Sequence, residues 1–269
     1  MSKPNTFQQE REAFSMSPDP AYLYRSGEHL SILNRLEISI RLRQGLSIVV
    51  GDVGTGKTTL ARTLIESFIG EEERYVFHML LDPFFRTEAQ LLAHLTALFG
   101  ISHFDRSSIE HHQMIERYLL KKKTEEEKTV TLIVDEGQRL AAEHFKILKT
   151  FVKFGKNELP LLQLIIFVQA QALNAHNVFE GIEPHYLAPL DEYDTGKLIA
   201  FRLKKAGRTD ADQLFTKEAI KNIHAFTRGY PRRTMLVCHR ALEKLTAKNG
   251  GHVTAELIEE VVAEEMAFH

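Results

Sequence analysis

The feature that most constrains this chain is a glycine-rich loop between a strand pattern and a helix pattern. Residues 51–58 read GDVGTGKT and match GxxxxGK[ST]. The preceding residues 46–50 are short and β-branched, as in a buried strand, and helical spacing of apolar side chains resumes at Leu60. Glycines let successive backbone N–H groups point at one anion, and the following helix adds its positive end. The sequence therefore predicts a phosphate-binding loop on a strand–loop–helix unit.

The chemistry of this loop indicates ATP and Mg²⁺ as cofactors. Lys57 is expected to reach the β- and γ-phosphates, and Thr58 to give its hydroxyl to the metal ion. The other predicted cofactor-binding residues surround these two along the loop: Gly51, Asp52, Val53, Gly54, Thr55, Gly56 and Thr59.

A pair of carboxylates supplies the second half of the predicted site. The apolar strand pattern of residues 130–134 is followed at once by Asp135 and Glu136. At the carboxyl edge of a strand, Asp135 can hold the magnesium shell, while Glu136 can polarise the water that attacks the γ-phosphate. The sequence thus predicts an ATPase in which Lys57 and Glu136 are catalytic.

The remainder of the chain predicts an α/β fold. Strands alternating with helices indicate a mostly parallel sheet covered by helices on both faces. Further strands are expected at residues 75–81 and 161–168 and in a short segment around Tyr186-Leu187. Helices are expected from Leu30 to Ile40, over residues 87–99, and after a Ser107-x-x-Glu110 capping box.

The last third of the chain predicts a small helical domain. Residues of about 191 to 267 read as four helices, whose starts include Thr216, Pro231 and Thr254. In the N-terminal region, Pro18-Asp19-Pro20 predicts a rigid arm. The predicted organisation is an N-terminal arm and helix (1–45), a P-loop core (46–189) and a helical lid domain (190–269).

Composition excludes several other classes of protein. A net charge of −2 over 269 residues argues against a nucleic-acid-coating protein, although a local basic face stays open. Cys238 is the only cysteine, which excludes an intramolecular disulfide and a thiolate metal cage and fits a cytoplasmic location. The sequence lacks a run of about 18 apolar residues, so no direct membrane insertion is expected. Its histidines have no zinc-site spacing, and Cys238 is expected to be a buried hydrophobe.

Four segments spread along the chain form a more specific pattern than the loop alone. They are Phe14–Pro20 with Leu23-Tyr24, Gly51–Thr59, Asp135–Gln138 and Gly229–Arg232. Together they resemble the general secretion pathway protein A family of AAA+ ATPases, to which mannose-sensitive haemagglutinin pilus biogenesis ATPases are related. The loop is common to many ATPases, whereas the arm and the Asp-Glu-x-Gln variant are more specific, and the resemblance runs from about residue 14 to the C-terminus.

The resemblance implies two further site residues. A polar residue at the tip of the fourth strand senses the γ-phosphate in such proteins, and Gln169 is the best match, with Gln171 second. The family usually reads Gly-Gln-Pro where this chain has Val168-Gln169-Ala170. Arg232 matches the arginine that approaches the nucleotide from the lid. Alternatively, Arg232 belongs with Arg228 and Arg233 to a solvated or phosphate-binding basic patch.

The lack of arginine in one interval of the sequence affects the predicted rate of ATP hydrolysis. No arginine occurs between Arg139 and Arg202, the interval from which AAA+ proteins usually project an arginine finger into a neighbouring subunit. The chain has a short segment, residues 174–184, in that place. Either another arginine or a lysine substitutes, or hydrolysis is slow and a partner completes the site. The candidate lysines are Lys146, Lys149, Lys153 and Lys156.

The leading hypothesis is a homo-oligomeric assembly ATPase in secretion or type IV pilus biogenesis. Longer members of the family carry a membrane helix and a peptidoglycan-binding module, so we expect a separate membrane partner here. The alternatives are a DNA-associated ATPase, such as a transposition target selector, and a nucleotide-gated switch with little hydrolysis.

Overall fold

The computed structural model describes residues 13–101, 107–153, 160–173 and 181–267. Residues 1–12 of the predicted N-terminal region, Lys156, and residues 174–180 of the segment that stands in place of an arginine finger lie outside the described residues. The chain divides into two compact units. The sheet unit comprises His29–Asp52 and Leu60–Leu187, and the lid unit comprises the described residues up to Glu28, Val53–Thr59, and Ala188 onward.

A five-stranded sheet with the order β2-β3-β4-β1-β5 organises the sheet unit. Each of its pairings is parallel, which confirms the predicted sheet. The strands are β1 (Leu46–Gly51), β2 (Tyr75–Leu80), β3 (Thr129–Val134), β4 (Leu162–Val168) and β5 (His185–Leu187).

The register of the central strands brings their carboxyl ends to one edge. Val50 in β1 lies opposite Val168 in β4, and Val134 in β3 lies opposite Ile166 in β4. β3 and β4 are buried along their whole length, because strands covered on both faces expose neither set of side chains. The segments that leave β1, β3 and β4 therefore start at the same edge of the sheet.

Helices connect these strands and cover the sheet. The predicted capping box forms at Ser107, whose hydroxyl accepts from the Glu110 N–H while its own N–H donates to the Glu110 carboxylate. The helices of this part are α1 (Gly27–Arg41), α2 (Lys57–Glu66), α3 (Glu88–Leu98), α4 (Ser108–Thr124), α5 (Ala142–Val152) and the short α6 (Ala170–Leu173).

The lid unit contains the four predicted helices. Thr216 caps the second of them by accepting from the Ala219 N–H at 3.1 Å, and Pro231 opens the third. Their apolar faces form a core that includes Leu198, Ile223 and Cys238. The helices are α7 (Glu192–Lys205), α8 (Lys217–Thr227), α9 (Pro231–Ala247) and α10 (Ala255–Ala267).

The N-terminal arm is part of the lid core. Phe14 is 3% exposed and its ring packs edge-on against Phe215, with 6.1 Å between centroids. Asp19 caps a single 3₁₀ turn over Pro20–Tyr22, and the Tyr24 hydroxyl donates to Asp194 at 2.8 Å. The sequence predicted an arm and the lid helices, but not that the arm packs against those helices.

Within the described ranges, no helix is both long and apolar enough to cross a bilayer.

Candidate functional site

The glycine-rich loop follows β1 and leads directly into α2. Gly54 and Gly56 have φ angles of +87° and +100°, in the left-handed region that favours glycine. Thr55 and Lys57 are buried, at 0% and 5% exposure, although they lie in a loop and at a helix start. The chain thus adopts the curled strand–loop–helix conformation that a phosphate-binding loop needs.

Within the lid unit, Arg232 lies beside this loop. Its backbone N–H, in the first turn of α9, donates to the Gly54 carbonyl oxygen at 3.2 Å. A Cβ atom at Gly54 would lie 3.1 Å from the Arg232 Cβ, so glycine permits this close approach. The guanidinium group is on an exposed residue. The structure therefore brings together two sequence-predicted site residues that are far apart in the chain.

The two predicted carboxylates lie at the carboxyl end of β3. Asp135 is 3% exposed, and its Oδ1 accepts from the Glu136 N–H at 3.0 Å. Glu136 has φ 50° and ψ 40°, a left-handed conformation that costs a non-glycine residue about 1–2 kcal/mol. Strain of this kind is concentrated at functional sites, where the surrounding structure holds it in place.

Two glutamine side chains hold the Glu136 carboxylate. The Nε2 atoms of Gln138 and Gln169 both donate to Glu136 Oε2, the latter at 3.0 Å. The Gln169 backbone N–H in turn donates to Gln138 Oε1 at 3.2 Å. Gln169 directly follows β4, so the structure brings it to Glu136, whereas the second choice, Gln171, is exposed in α6.

Sequence reasoning missed the contact made by Gln138. That residue contributed only to the family resemblance, within Asp135–Gln138. The preceding Gly137 explains why the turn can lie against β4, since a Cβ there would be 2.2 Å from the Ile166 Cγ2. The Asp-Glu-x-Gln spacing is the one sequence signal that could have identified Gln138 as a site residue.

The arginines on either side of the gap are engaged within their own units. In the sheet unit, Arg139 pairs with Asp82 at 2.8 Å and its guanidinium lies 5.6 Å from the centre of the Phe84 ring. In the lid unit, Arg202 donates to the Ser15 carbonyl oxygen and lies over the Tyr22 ring. Burial lowers the pKa of Arg202 from its ordinary value.

The three candidate lysines that the structure describes lie on α5 or directly after it. Lys146 and Lys153 are exposed, and the Lys149 amine lies 5.5 Å from the centre of the Phe145 ring. Among the described residues, none of these three forms an ion pair with Glu136.

Cys238 and the sequence-adjacent pair His111 and His112 lie in surroundings that suggest a role in packing or in hydrogen bonding within the fold. Cys238 is completely buried, and burial raises the pKa of its thiol above the ordinary value. His111 contacts the Thr96 hydroxyl at 3.0 Å, and His112 contacts that of Thr150 at 3.1 Å. In the part of the chain with described structure, no cluster of three or more histidine, cysteine or carboxylate side chains is arranged to hold a metal ion.

The sequence of this chain matches a known protein family and a protein of known name. The model of the AAA domain family matches residues 40–175. General secretion pathway protein A of Aeromonas hydrophila is 30% identical over 247 residues, which are 89% of this chain and 44% of that protein. The chain thus spans less than half the length of this curated relative. The similarity confirms the resemblance inferred from the four sequence segments.

Solved structures confirm the predicted fold class. The Aeropyrum pernix ORC2 protein, solved as ADPNP-ADP complexes, matches with a TM-score of 0.64 and 16% identity, covering 94% of this chain and 71% of that one. The ORC1 protein of the same organism, solved in complex with DNA, matches with a TM-score of 0.63 and 14% identity, covering 95% and 69%. At these identities the likeness concerns the fold alone.

Proposed function

The chain belongs to the AAA domain family, and from this premise we propose that it binds Mg²⁺-ATP and hydrolyses it slowly. One observation carries the proposal. The Glu136 carboxylate is held by Gln138 and Gln169 at the carboxyl ends of β3 and β4, the edge at which β1 continues into the glycine-rich loop. A carboxylate that activates water must be oriented within hydrogen-bond reach of that water, and two hydrogen bonds from neighbouring amides restrict its orientation.

The loop and its neighbours fit the binding of a nucleotide. We propose that the backbone of residues 51–59 cradles the phosphates and that Lys57 follows the β- and γ-phosphates. Thr58 and Asp135 offer a hydroxyl and a carboxylate, which are the oxygen ligands that suit Mg²⁺. The bound ion would neutralise charge on the phosphate oxygens.

Three residues are proposed to act on the terminal phosphate. Glu136 accepts a proton from the attacking water, Gln169 responds to the γ-phosphate at the end of β4, and Arg232 contributes positive charge from α9. The contacts between Gln169 and Glu136 and between Arg232 and the loop support this assignment.

Hydrolysis by the isolated chain is proposed to be slow. An arginine finger is worth roughly 10³- to 10⁵-fold in phosphoryl transfer. No arginine lies between Arg139 and Arg202, and these two are already engaged with Asp82 and with Ser15 and Tyr22. We therefore propose that a partner or a neighbouring copy completes the site.

The proposed cellular role is that of a cytoplasmic, homo-oligomeric assembly factor in secretion or type IV pilus biogenesis, acting with a membrane-anchored partner. The similarity to general secretion pathway protein A supports this role. We also retain the domain bounds 1–45, 46–189 and 190–269 as a proposal.

A DNA-associated ATPase is the second candidate. Three arginines on the lid unit, Arg228, Arg232 and Arg233, are exposed, and a protein of similar fold was solved in complex with DNA. Fluorescence anisotropy with duplex DNA between 50 and 200 mM salt tests it. Binding that weakens steeply with salt, and weakens further in Arg228→Ala, would favour DNA over a secretion partner. A nucleotide-gated switch with little hydrolysis is a third candidate, because no arginine lies between Arg139 and Arg202 to serve as a finger.

The direct test of the proposed chemistry compares the natural chain with Glu136→Gln. The variant should retain Mg²⁺-ATP affinity while its turnover falls by roughly 10²-fold or more, since a positioned base is removed. Binding is measured by calorimetry and turnover by phosphate release. Equal losses of affinity and turnover would show instead that Glu136 supports the fold.

A further inference from the structure

We propose that Gln138 is a positioning residue for ATP hydrolysis. It fixes Oε2 of Glu136 so that Oε1 faces the attacking water, and it ties this carboxylate to the end of β4. The inference rests on the proposed ATPase function and assigns Gln138 a role within that site.

Gln138 uses both ends of its amide group. Its Nε2 donates to Glu136 Oε2, and its Oε1 accepts from the Gln169 backbone N–H at 3.2 Å. The Gln169 side chain donates to the same Oε2 at 3.0 Å. Glu136, Gln138 and Gln169 therefore form a closed ring of three hydrogen bonds. A primary amide offers both a donor and an acceptor, which a methionine or a lysine side chain cannot supply together.

The two carboxylate oxygens of Glu136 have different surroundings. Oε2 accepts two hydrogen bonds, whereas Oε1 accepts none from the described residues. A general base needs one lone pair directed at the proton that it removes. Because Oε2 is held by the glutamines, Oε1 is the oxygen left to accept this proton.

Close packing and hydrogen bonds restrain the backbone turn that contains Gln138. Gly137 lies so close to β4 that a Cβ would be 2.2 Å from Ile166 Cγ2. The turn is closed by the Arg139 N–H, which donates to the Glu136 carbonyl at 2.9 Å, and by Leu140, which is 5% exposed. Because the backbone is fixed, the direction of the Glu136 side chain depends on its two amide partners. A displacement at the end of β4 would reach Glu136 through Gln138 as well as through Gln169.

The test replaces the amide by a side chain of similar length without strong donors. Gln138→Met should lower kcat by roughly 10- to 10²-fold, as expected when a catalytic group is misplaced by about 1 Å, while KM and the calorimetric Kd for Mg²⁺-ATP stay unchanged. Gln138→Glu should lower kcat further, since it places a second carboxylate against Glu136. The control is Gln44→Met, an exposed glutamine in the sheet unit, which should keep the natural turnover.

A double-mutant cycle separates positioning from structural support. If Gln138 acts through Glu136, then Gln138→Met should cause no further loss of turnover in the Glu136→Gln background. The same fold loss in both backgrounds, natural kcat in Gln138→Met, or a loss of ATP affinity would each overturn the inference. If the natural chain fails to bind ATP, the proposed function fails as well, and the binding titration shows this separately from the cycle.

Discussion

Glu136 combines a strained backbone conformation with a side-chain carboxylate that accepts hydrogen bonds from two glutamines. Its φ of 50° is unfavourable for any residue with a Cβ atom, and the turn that follows it is closed against β4 by Gly137. In this conformation the carboxylate lies just beyond the end of β3, where its partners are Gln138 and Gln169. The strained conformation at Glu136 thus occurs at a carboxylate that two amide groups hold.

The first prediction uses this strain. Glu136→Gly should be more stable than Glu136→Ala by about 1 kcal/mol, because glycine adopts a left-handed conformation without the Cβ penalty. Glu143, in the first turn of α5, is the matched position, and there the order should be reversed because glycine is a poor helix former. Urea denaturation of the four variants measures both differences. A less stable glycine variant at position 136 would argue against a strained backbone there.

Among single residues, local spacing in the sequence led to the roles that we propose for four of them. Lys57 and Thr58 were predicted from the glycine-rich loop, and Asp135 and Glu136 from a strand end. These roles stay predictions. The ring made by Gln138 was not predictable, since it requires the end of β4 to lie next to the end of β3. That neighbourhood is set by sheet order, which local patterns do not encode.

The helices and strands owe their positions to patterns that act over a few residues. Apolar β-branched runs became the buried strands β1, β3 and β4, and the capping residues Ser107 and Thr216 begin the predicted helices. The packing of the arm was not predictable from such patterns. Phe14 and Phe215 are far apart in the sequence, and no short-range signal joins them.

A second prediction concerns this arm. Phe14→Ala should destabilise the lid unit by roughly 3–5 kcal/mol, because it removes a buried aromatic side chain from a packed core. Met16→Ala, two residues away and 57% exposed, should change stability by no more than about 0.5 kcal/mol. Thermal denaturation of both variants compares them. Equal stability of the two would mean that the arm is not part of the lid core.

A third prediction concerns the turn between α8 and α9. Gly229 has φ +72°, and a Cβ there would lie 1.8 Å from the Leu190 carbonyl oxygen. Gly229→Ala should therefore disturb the start of α9, which carries Arg232 beside the loop, and should reduce both stability and ATP affinity. Gly251→Ala meets no atom within 4 Å and serves as the control. Chemical denaturation and nucleotide titration would contradict the steric account if Gly229→Ala matched the control.

In the molecule as a whole, slow turnover and assembly are proposed to depend on the same incomplete ATP site. If the ATP site is completed by a neighbouring copy, nucleotide and oligomer stabilise each other by linkage. Membership in the family and the fold were predictable because four segments spread along the chain carry the resemblance. The identity of the partner was not predictable, since no residue pattern in the chain specifies which surface a partner binds.

The fourth prediction follows from this linkage. The nucleotide-free chain should be a monomer or weak oligomer, and a slowly hydrolysed ATP analogue should produce a larger assembly. Turnover of the isolated chain should stay well below about 1 s⁻¹ and rise only with a partner that completes the site. Light scattering over a range of concentrations measures the mass. A mass independent of nucleotide, together with brisk hydrolysis, would point to a finger arginine that the chain supplies by itself.

Calorimetric titration of Mg²⁺-ATP into the natural chain and into Lys57→Ala tests whether the glycine-rich loop binds the nucleotide. Lys57→Ala should lose roughly 10- to 10²-fold in affinity, because a charge-assisted hydrogen bond contributes about 1.5–3 kcal/mol. Lys217→Ala, which removes an exposed lysine in the first turn of α8, should bind as the natural chain does. Undiminished affinity in Lys57→Ala, or no binding by the natural chain, would show that the loop does not hold the phosphates as proposed.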